Sequence, residues 1–169
     1  AALVAGEALD NFPPGRPGKA IATAARVPGM LWLSLQLHRT GWFRRAPGAW
    51  GWMSTRPVPD AVMDRWFGSA RLDRAVRRDL RTFALSTPSP SELVALAEGL
   101  RSFERPVLVV WATEDKLMPR DHGPRLAELF PRGRLVEVDD SYTLVPVDQP
   151  ELLASELARF VTAEVAAGR

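Results

Sequence analysis

The sequence predicts an α/β fold in which parallel strands with flanking helices carry a long helical insertion. Three observations predict it. Pro106-Val107-Leu108-Val109-Val110-Trp111 is a continuous apolar, β-branched run without alternation, as expected of a parallel strand buried on both faces. From Pro17 to Phe103 the pattern is helical and punctuated by Gly and Pro. After Arg105 the order strand, helix, strand, helix with short connections requires right-handed crossovers and a doubly wound layer.

The elements follow in order. Ala1-Ala2-Leu3-Val4-Ala5-Gly6 is a short apolar run that reads as a strand, and it breaks at the turn signal Asp10-Asn11-Phe12-Pro13-Pro14-Gly15. A strand is an unusual way for a natural domain to open, so a truncated gene model or a fragment of a longer protein is expected. Pro17 to Val27 and Pro28 to Arg39 read as two helices, and Gly41 to Pro57 as a connector with little periodicity. Asp60 is expected to cap a helix whose Met63, Trp66, Phe67 and Ala70 fall at i, i+3, i+4 and i+7, one face of a 3.6-residue period. Trp66 and Phe67 are therefore read as core. Leu72, Val76, Leu80 and Phe83 continue the spacing, and Ser89-Pro90-Ser91-Glu92 supplies an N-cap serine, a proline at the first position and a glutamate at the third. Beyond the central strand, a helix is expected around Pro124 to Phe130, a strand at Leu135 to Val138, and a last helix from Asp148 to about Ala163. In that last helix Asp148 and Glu151 have capping-box spacing, and Leu153, Leu157, Phe160 and Val161 make the buried stripe.

Composition narrows the function classes. With 169 residues, 46% hydrophobic and 25% charged, the chain is long enough for one cored domain. The net charge is only +2, and acids lie among the arginines in Arg71-Leu72-Asp73-Arg74 and Arg77-Arg78-Asp79, so that stretch reads as a solvated helix face and no nucleic acid is expected. Cysteine is absent and His38 and His122 are the only histidines, which excludes disulfides, thiolate nucleophiles and histidine-rich metal sites; no metal and no cofactor are expected. No run reaches the ~18 apolar residues of a membrane span, and the start lacks a signal-peptide pattern, so a cytoplasmic location and no membrane partner are expected. There is no phosphate loop, G-x-G-x-x-G or G-x-S-x-G.

In open α/β sheets ligands bind beyond the carboxyl ends of the strands, and two loops qualify: Ala112-Thr113-Glu114-Asp115-Lys116-Leu117-Met118-Pro119 and Asp139-Asp140-Ser141-Tyr142-Thr143-Leu144-Val145-Pro146. From Arg105 to Phe160 the chain resembles the end of the α/β-hydrolase superfamily, in particular its capped branch of haloalkane dehalogenases, epoxide hydrolases and related esterases: a buried strand, a W-G-x-x-D-x-x-x-P loop with Ala112 in the glycine's place, a helix, a short strand, the histidine loop and a last helix. The start resembles it too. Residues 1–14 are similar to the family's sixth strand, 15–103 to its helical cap, and 104–169 to the C-terminal part of its core, so the resemblance implies the C-terminal half of an α/β-hydrolase fold carrying a cap insertion.

That resemblance implies a nucleophile–acid–histidine triad whose acid is Asp115 and whose histidine falls where Thr143 stands, in Asp140-Ser141-Tyr142-Thr143-Leu144-Val145-Pro146-Val147-Asp148-Gln149-Pro150. A threonine hydroxyl is not a general base near neutral pH, so Thr143 departs from the pattern. The bland reading of Asp115 is a side chain that tightens the turn before Met118-Pro119. His122, at a helix start, is expected to face solvent or cap that turn, and His38 to lie on a cap helix near Trp32 and Leu35. A second acid position of dehalogenase-like relatives corresponds to the region of Glu7 and Asp10, although Asp10 is a turn residue in its own right. Trp32, Trp42, Trp50, Trp52 and Trp66, with Phe43 and Phe67, lie in the insertion, and some of them are expected to wall an apolar pocket for a small hydrophobic substrate.

Three functions are compatible with these residues. The first is a hydrolase of a small ester, epoxide or haloalkane whose nucleophile lies upstream of Ala1, so that this fragment alone is inactive. The second is a non-catalytic relative that keeps the pocket and binds a ligand. The third is an unrelated interaction domain. An exposed first strand would leave an apolar edge, for which self-association is the expected outcome.

Overall fold

The computed structural model describes residues 1–4, 9–86 and 88–167. Strand β2 (Val107–Ala112) is buried along its whole length, as its unbroken apolar run requires. Parallel strands flank it on both sides: β1 (Ala2–Val4), with Leu3 opposite Val109, and β3 (Gly133–Val138), with Leu135 also opposite Val109. Among the described residues the second edge of β1 has no strand against it.

Alternation along β2 divides the core. Val107, Val109 and Trp111 pack with Leu126, Ala127 and Leu129 of α7 (His122–Leu129) and with Ala97 of α6 (Pro90–Glu98). Leu108, Val110 and Ala112 point the other way, onto Val138, Val145 and Leu153. Burying an aliphatic side chain contributes about 1.5–3 kcal/mol, so these six positions anchor the sheet. Two glycines permit the close packing of α7. A Cβ on Gly123 would lie 2.5 Å from the Trp111 ring, and one on Gly133 2.0 Å from the Ala127 carbonyl oxygen.

The intervening helices are α1 (Gly15–Arg26), α2 (Met30–Leu37), α3 (Gly41–Arg44), α4 (Asp60–Leu72) and α5 (Arg74–Leu85), with a 3-10 turn at Trp50–Met53 inside the expected connector. Their core is Leu31, Leu35, Val58, Met63, Phe67 and Ala70, against which Leu144 and Val147 of the loop after β3 also pack. Arg44 is buried and holds the layer together: it donates to Asp60 Oδ1 at 2.7 Å, to Asp64 Oδ1 at 2.6 Å and, through Nε, to the His38 carbonyl at 2.5 Å.

Several local expectations change. Asp60 does not cap α4; Pro59 precedes the helix, and the Asp60 carboxylate turns to Arg44 instead. Trp66 sits at the flank of the Met63, Phe67 and Ala70 stripe and is 43% exposed, so only Phe67 of the pair is core. Leu72 does not continue a stripe: the chain breaks at Asp73, whose carboxylate accepts from Ala75 N at 2.7 Å and caps α5. The box at Ser89 forms, with Ser89 N donating to Glu92 Oε2 at 2.8 Å and Glu92 N to Ser89 Oγ at 3.3 Å. At the end of the chain a helical turn, α8 (Val145–Asp148), precedes α9 (Pro150–Ala167), and Asp148 is withdrawn into the interior rather than capping the last helix.

Candidate active site

Strands β2 and β3 end in register at Ala112 and Val138, which brings the loops 113–119 and 139–144 side by side beyond their carboxyl ends. Thr113 N extends the ladder to Val138 O at 3.0 Å, and Asp140, at φ +52°, turns the second loop in a left-handed conformation that Asp tolerates better than most side chains.

Asp115 sits in the first loop and does two things with one oxygen. Oδ1 accepts from Leu117 N at 2.8 Å and Met118 N at 2.9 Å, which tightens the turn, and it also accepts the Thr143 hydroxyl at 2.7 Å. Oδ2 is shielded from solvent and has no hydrogen-bond partner among the described residues. A shielded carboxylate oxygen that no donor satisfies costs free energy; Trp111 Nε1, His38 Nε2 and His122 Nδ1 are placed in the same way, so this feature alone does not mark a site. The two positions singled out in the sequence, Asp115 and Thr143, are thus in direct contact across 28 residues of chain.

The histidines go elsewhere. His122 opens α7 but is buried, not solvent-facing: glycine at 123 lets the helix start press onto Trp111, and Nε2 lies 3.4 Å from Asp10 Oδ1 while Nδ1 has no partner among the described residues. His38 ends α2, with Nδ1 2.8 Å from the Ser34 carbonyl and its ring 4.4 Å from that of Phe67 and 4.9 Å from that of Phe43. Burial pushes the His38 imidazole below its ordinary pKa, and the nearby Arg44 and Arg71 add to this against the pull of the Ser34 carbonyl, so its neutral form is favoured. Among the described residues neither imidazole bonds to Asp115. Glu7 lies outside the described residues.

Two further residues join the second loop to the helical layer. Lys116 places Nζ 3.5 Å from the centroid of the Tyr142 ring and 4.7 Å from that of Trp52, a cation between two aromatic faces, and donates to the Trp52 carbonyl at 3.4 Å. Asp148 is fully buried and accepts from five donors: the Ser54 hydroxyl, Thr55 N at 3.0 Å, Arg56 N at 3.4 Å, the Ser141 hydroxyl at 3.3 Å and Tyr142 N at 3.0 Å. Leu144 N adds a bond to Met53 O at 3.0 Å. Nothing local in the sequence marks these partners, because the donors from the helical layer come from about ninety residues upstream.

Burial alone would raise the Asp148 pKa, but hydrogen bonds from Ser54, Tyr142 and Thr55 outweigh it and hold the carboxyl below the ordinary carboxylate range. A carboxylate depressed in this way contributes stability that is present above its unfolded pKa and is lost as pH falls through the folded one. Urea unfolding should therefore show stability falling below about pH 4, and the fall should be shallower in Asp148→Asn.

The tryptophans divide. Trp32 and Trp42 are exposed, Trp50 packs its edge against Phe67 at 5.9 Å, and Trp52 lines a cavity of about 240 Å3 together with Arg44, Ser54, Arg56, Met63 and Lys116. Among the described residues no group of three or more His, Asp or Glu side chains is placed to hold a metal ion.

Comparison with known proteins agrees with this architecture. No protein-family model matches the chain. It is 33% identical over 64 residues to the uncharacterized hydrolase YugF of Bacillus subtilis, a match that spans 38% of this chain and 23% of that protein. Among solved structures it superposes on an α/β-hydrolase fold protein from Burkholderia ambifaria (TM-score 0.64, 20% identity, 92% of this chain and 54% of that one). It likewise superposes on the 2-hydroxy-6-oxo-6-phenylhexa-2,4-dienoate hydrolase of Rhodococcus sp. strain RHA1 (TM-score 0.67, 16% identity, 95% and 54%). The three-stranded parallel sheet with its helices is a partial α/β-hydrolase fold, and the chain spans about half the length of these solved relatives.

Proposed function

We infer that the protein is a hydrolase of a small hydrophobic ester, epoxide or haloalkane, and that Asp115 is the acid of its site. The observation that supports this reading is the 2.7 Å bond from the Thr143 hydroxyl to Asp115 Oδ1, because it joins the loop after β3 to the carboxylate in the arrangement by which such an acid orients a base. The nucleophile belongs to the half of the fold that the solved relatives contain in addition, and residues 15–103 act as the cap over the site. The free edge of β1 and the apolar groove beside it, about 540 Å3 between Leu3, Leu9, Phe12, Leu96 and Phe130, offer that half a place to pack; residues 1–169 alone would self-associate there.

Thr143 favours a second reading, a ligand-binding relative without turnover. It donates its proton to Asp115 and cannot accept one from a nucleophile near neutral pH. Assays of the full-length protein on an aryl ester, an epoxide and a haloalkane separate the two. Hydrolysis of at least one, lowered by Asp115→Ala, is expected. Hydrolysis undiminished by Asp115→Ala would remove Asp115 from the mechanism, and binding of an apolar ligand with no hydrolysis of any substrate would establish the second reading.

A further inference from the structure

We propose that the outward face of α1 to α3 docks on the surface of an anionic lipid bilayer. The net charge of +2 conceals a segregated field. Between Asn11 and Pro59 there is no Asp or Glu, while Arg16, Lys19, Arg26, Arg39, Arg44, Arg45 and Arg56 all fall there; the 20 acidic residues lie outside this stretch. Only Arg44 of the seven is buried, on Asp60 and Asp64; the other six are exposed.

The sequence of α2, Met-Leu-Trp-Leu-Ser-Leu-Gln-Leu, is apolar on every side, a pattern that belongs inside a protein core or a membrane. Yet only Leu31 and Leu35, one turn apart, are buried. The opposite side presents Met30, Trp32, Leu33 and Leu37 at 43%, 49%, 46% and 36% exposure, and Val27 before the helix and Trp42 after it, at 46% and 70%, continue the patch. Trp32 also walls a groove of about 710 Å3 that Arg74 and Arg78 of α5 line as well, Arg78 being paired with Asp79 at 3.5 Å.

An apolar helix face with tryptophans at its margin and arginines around it is the composition of a helix lying in the headgroup region, where arginine stems cover apolar surface while their guanidinium groups reach lipid phosphates. The charge pattern selects this occupant over others. A second copy of the chain packed face to face would bring the exposed Arg26 and Arg39, which flank α2, against their own copies with no carboxylate from residues 11–59 between them. Nucleic acid would satisfy the arginines and leave the apolar face wet. Among the described residues no helix is long and apolar enough to cross a membrane, so the association is peripheral; the sequence expectation of no membrane partner rests on spanning segments and does not bear on it.

The test is flotation of the full-length protein, in which a face covered by the half that the solved relatives contain in addition would give no binding, with vesicles of phosphatidylcholine alone and of phosphatidylcholine with phosphatidylserine at about three to one, and with tryptophan emission recorded in parallel. Binding at least about tenfold tighter to the anionic vesicles, weakened by salt and accompanied by a blue shift, is expected. Arg26→Glu with Arg39→Glu, and separately Trp32→Ser with Leu33→Ser, should each reduce it about tenfold, with circular dichroism unchanged because all four residues are exposed. Three outcomes overturn the proposal: no binding to anionic vesicles, a Trp32→Ser Leu33→Ser variant that binds like the parent, or a dimer of the parent chain that this variant dissociates.

Discussion

Asp148→Ala should cost about 3 kcal/mol or more, because it removes from the interior the acceptor shared by five donors, the buried Ser54 and Ser141 hydroxyls among them, rather than a single bond. For a chain of 169 residues that corresponds to a fall in Tm of about 6–12 °C. The loss should be structured. Ser54, Thr55 and Arg56 belong to the helical layer and Ser141 and Tyr142 to the loop after β3, so the carboxylate is the joint between them. Amide exchange should quicken in 53–57 and 141–144 while β2, whose bonds lie within the sheet, stays protected. Asp148→Asn keeps one acceptor and turns a donor toward donors, and should fall between the two. A Tm lowered by less than about 2 °C in Asp148→Ala would show that these five bonds do not join the layers.

The second large effect is a gain. Thr143→His places an imidazole beside Asp115, whose Oδ2 is shielded and without a partner among the described residues. If hydrolysis of the ester, epoxide or haloalkane is limited by the missing base, kcat of the full-length protein should rise about 10²-fold or more, with KM little changed. Thr143→Ser, which keeps a hydroxyl, should leave the rate near that of the parent. A fall in activity with Thr143→His would show that the threonine is itself required.

The fold was legible where its causes are local. The unbroken apolar run of β2 announces a strand covered on both faces, and Ser89 and Glu92 announce a helix start, because each needs only its neighbours in sequence. What the sequence did not reveal depends on distant partners. Asp148 has the spacing of a capping residue with Glu151, but donors from Ser54 to Arg56 draw it inward. His122 reads as a surface residue until Gly123 lets α7 close on Trp111. Lys116 carries no motif, and its place between Tyr142 and Trp52 exists only once the two layers meet. Asp73 is the instructive miss, since an Asp before Arg74 and Ala75 is a local cap signal that the spacing of Leu72 and Val76 obscured. Of the site, Asp115 and Thr143 were readable only through resemblance to a family; composition and periodicity do not distinguish Asp115 from any other turn carboxylate.

The most direct test of the account is an NMR titration of the imidazole introduced by Thr143→His, with its signals separated from those of His38 and His122 by comparison with the parent. A carboxylate in hydrogen-bond contact favours the charged ring, so the new imidazole should titrate above the ordinary value of about 6.5 and return toward it when Asp115→Asn is added. An imidazole at position 143 that titrates at its ordinary value, and that Asp115→Asn does not move, would contradict the pairing of Asp115 with that position.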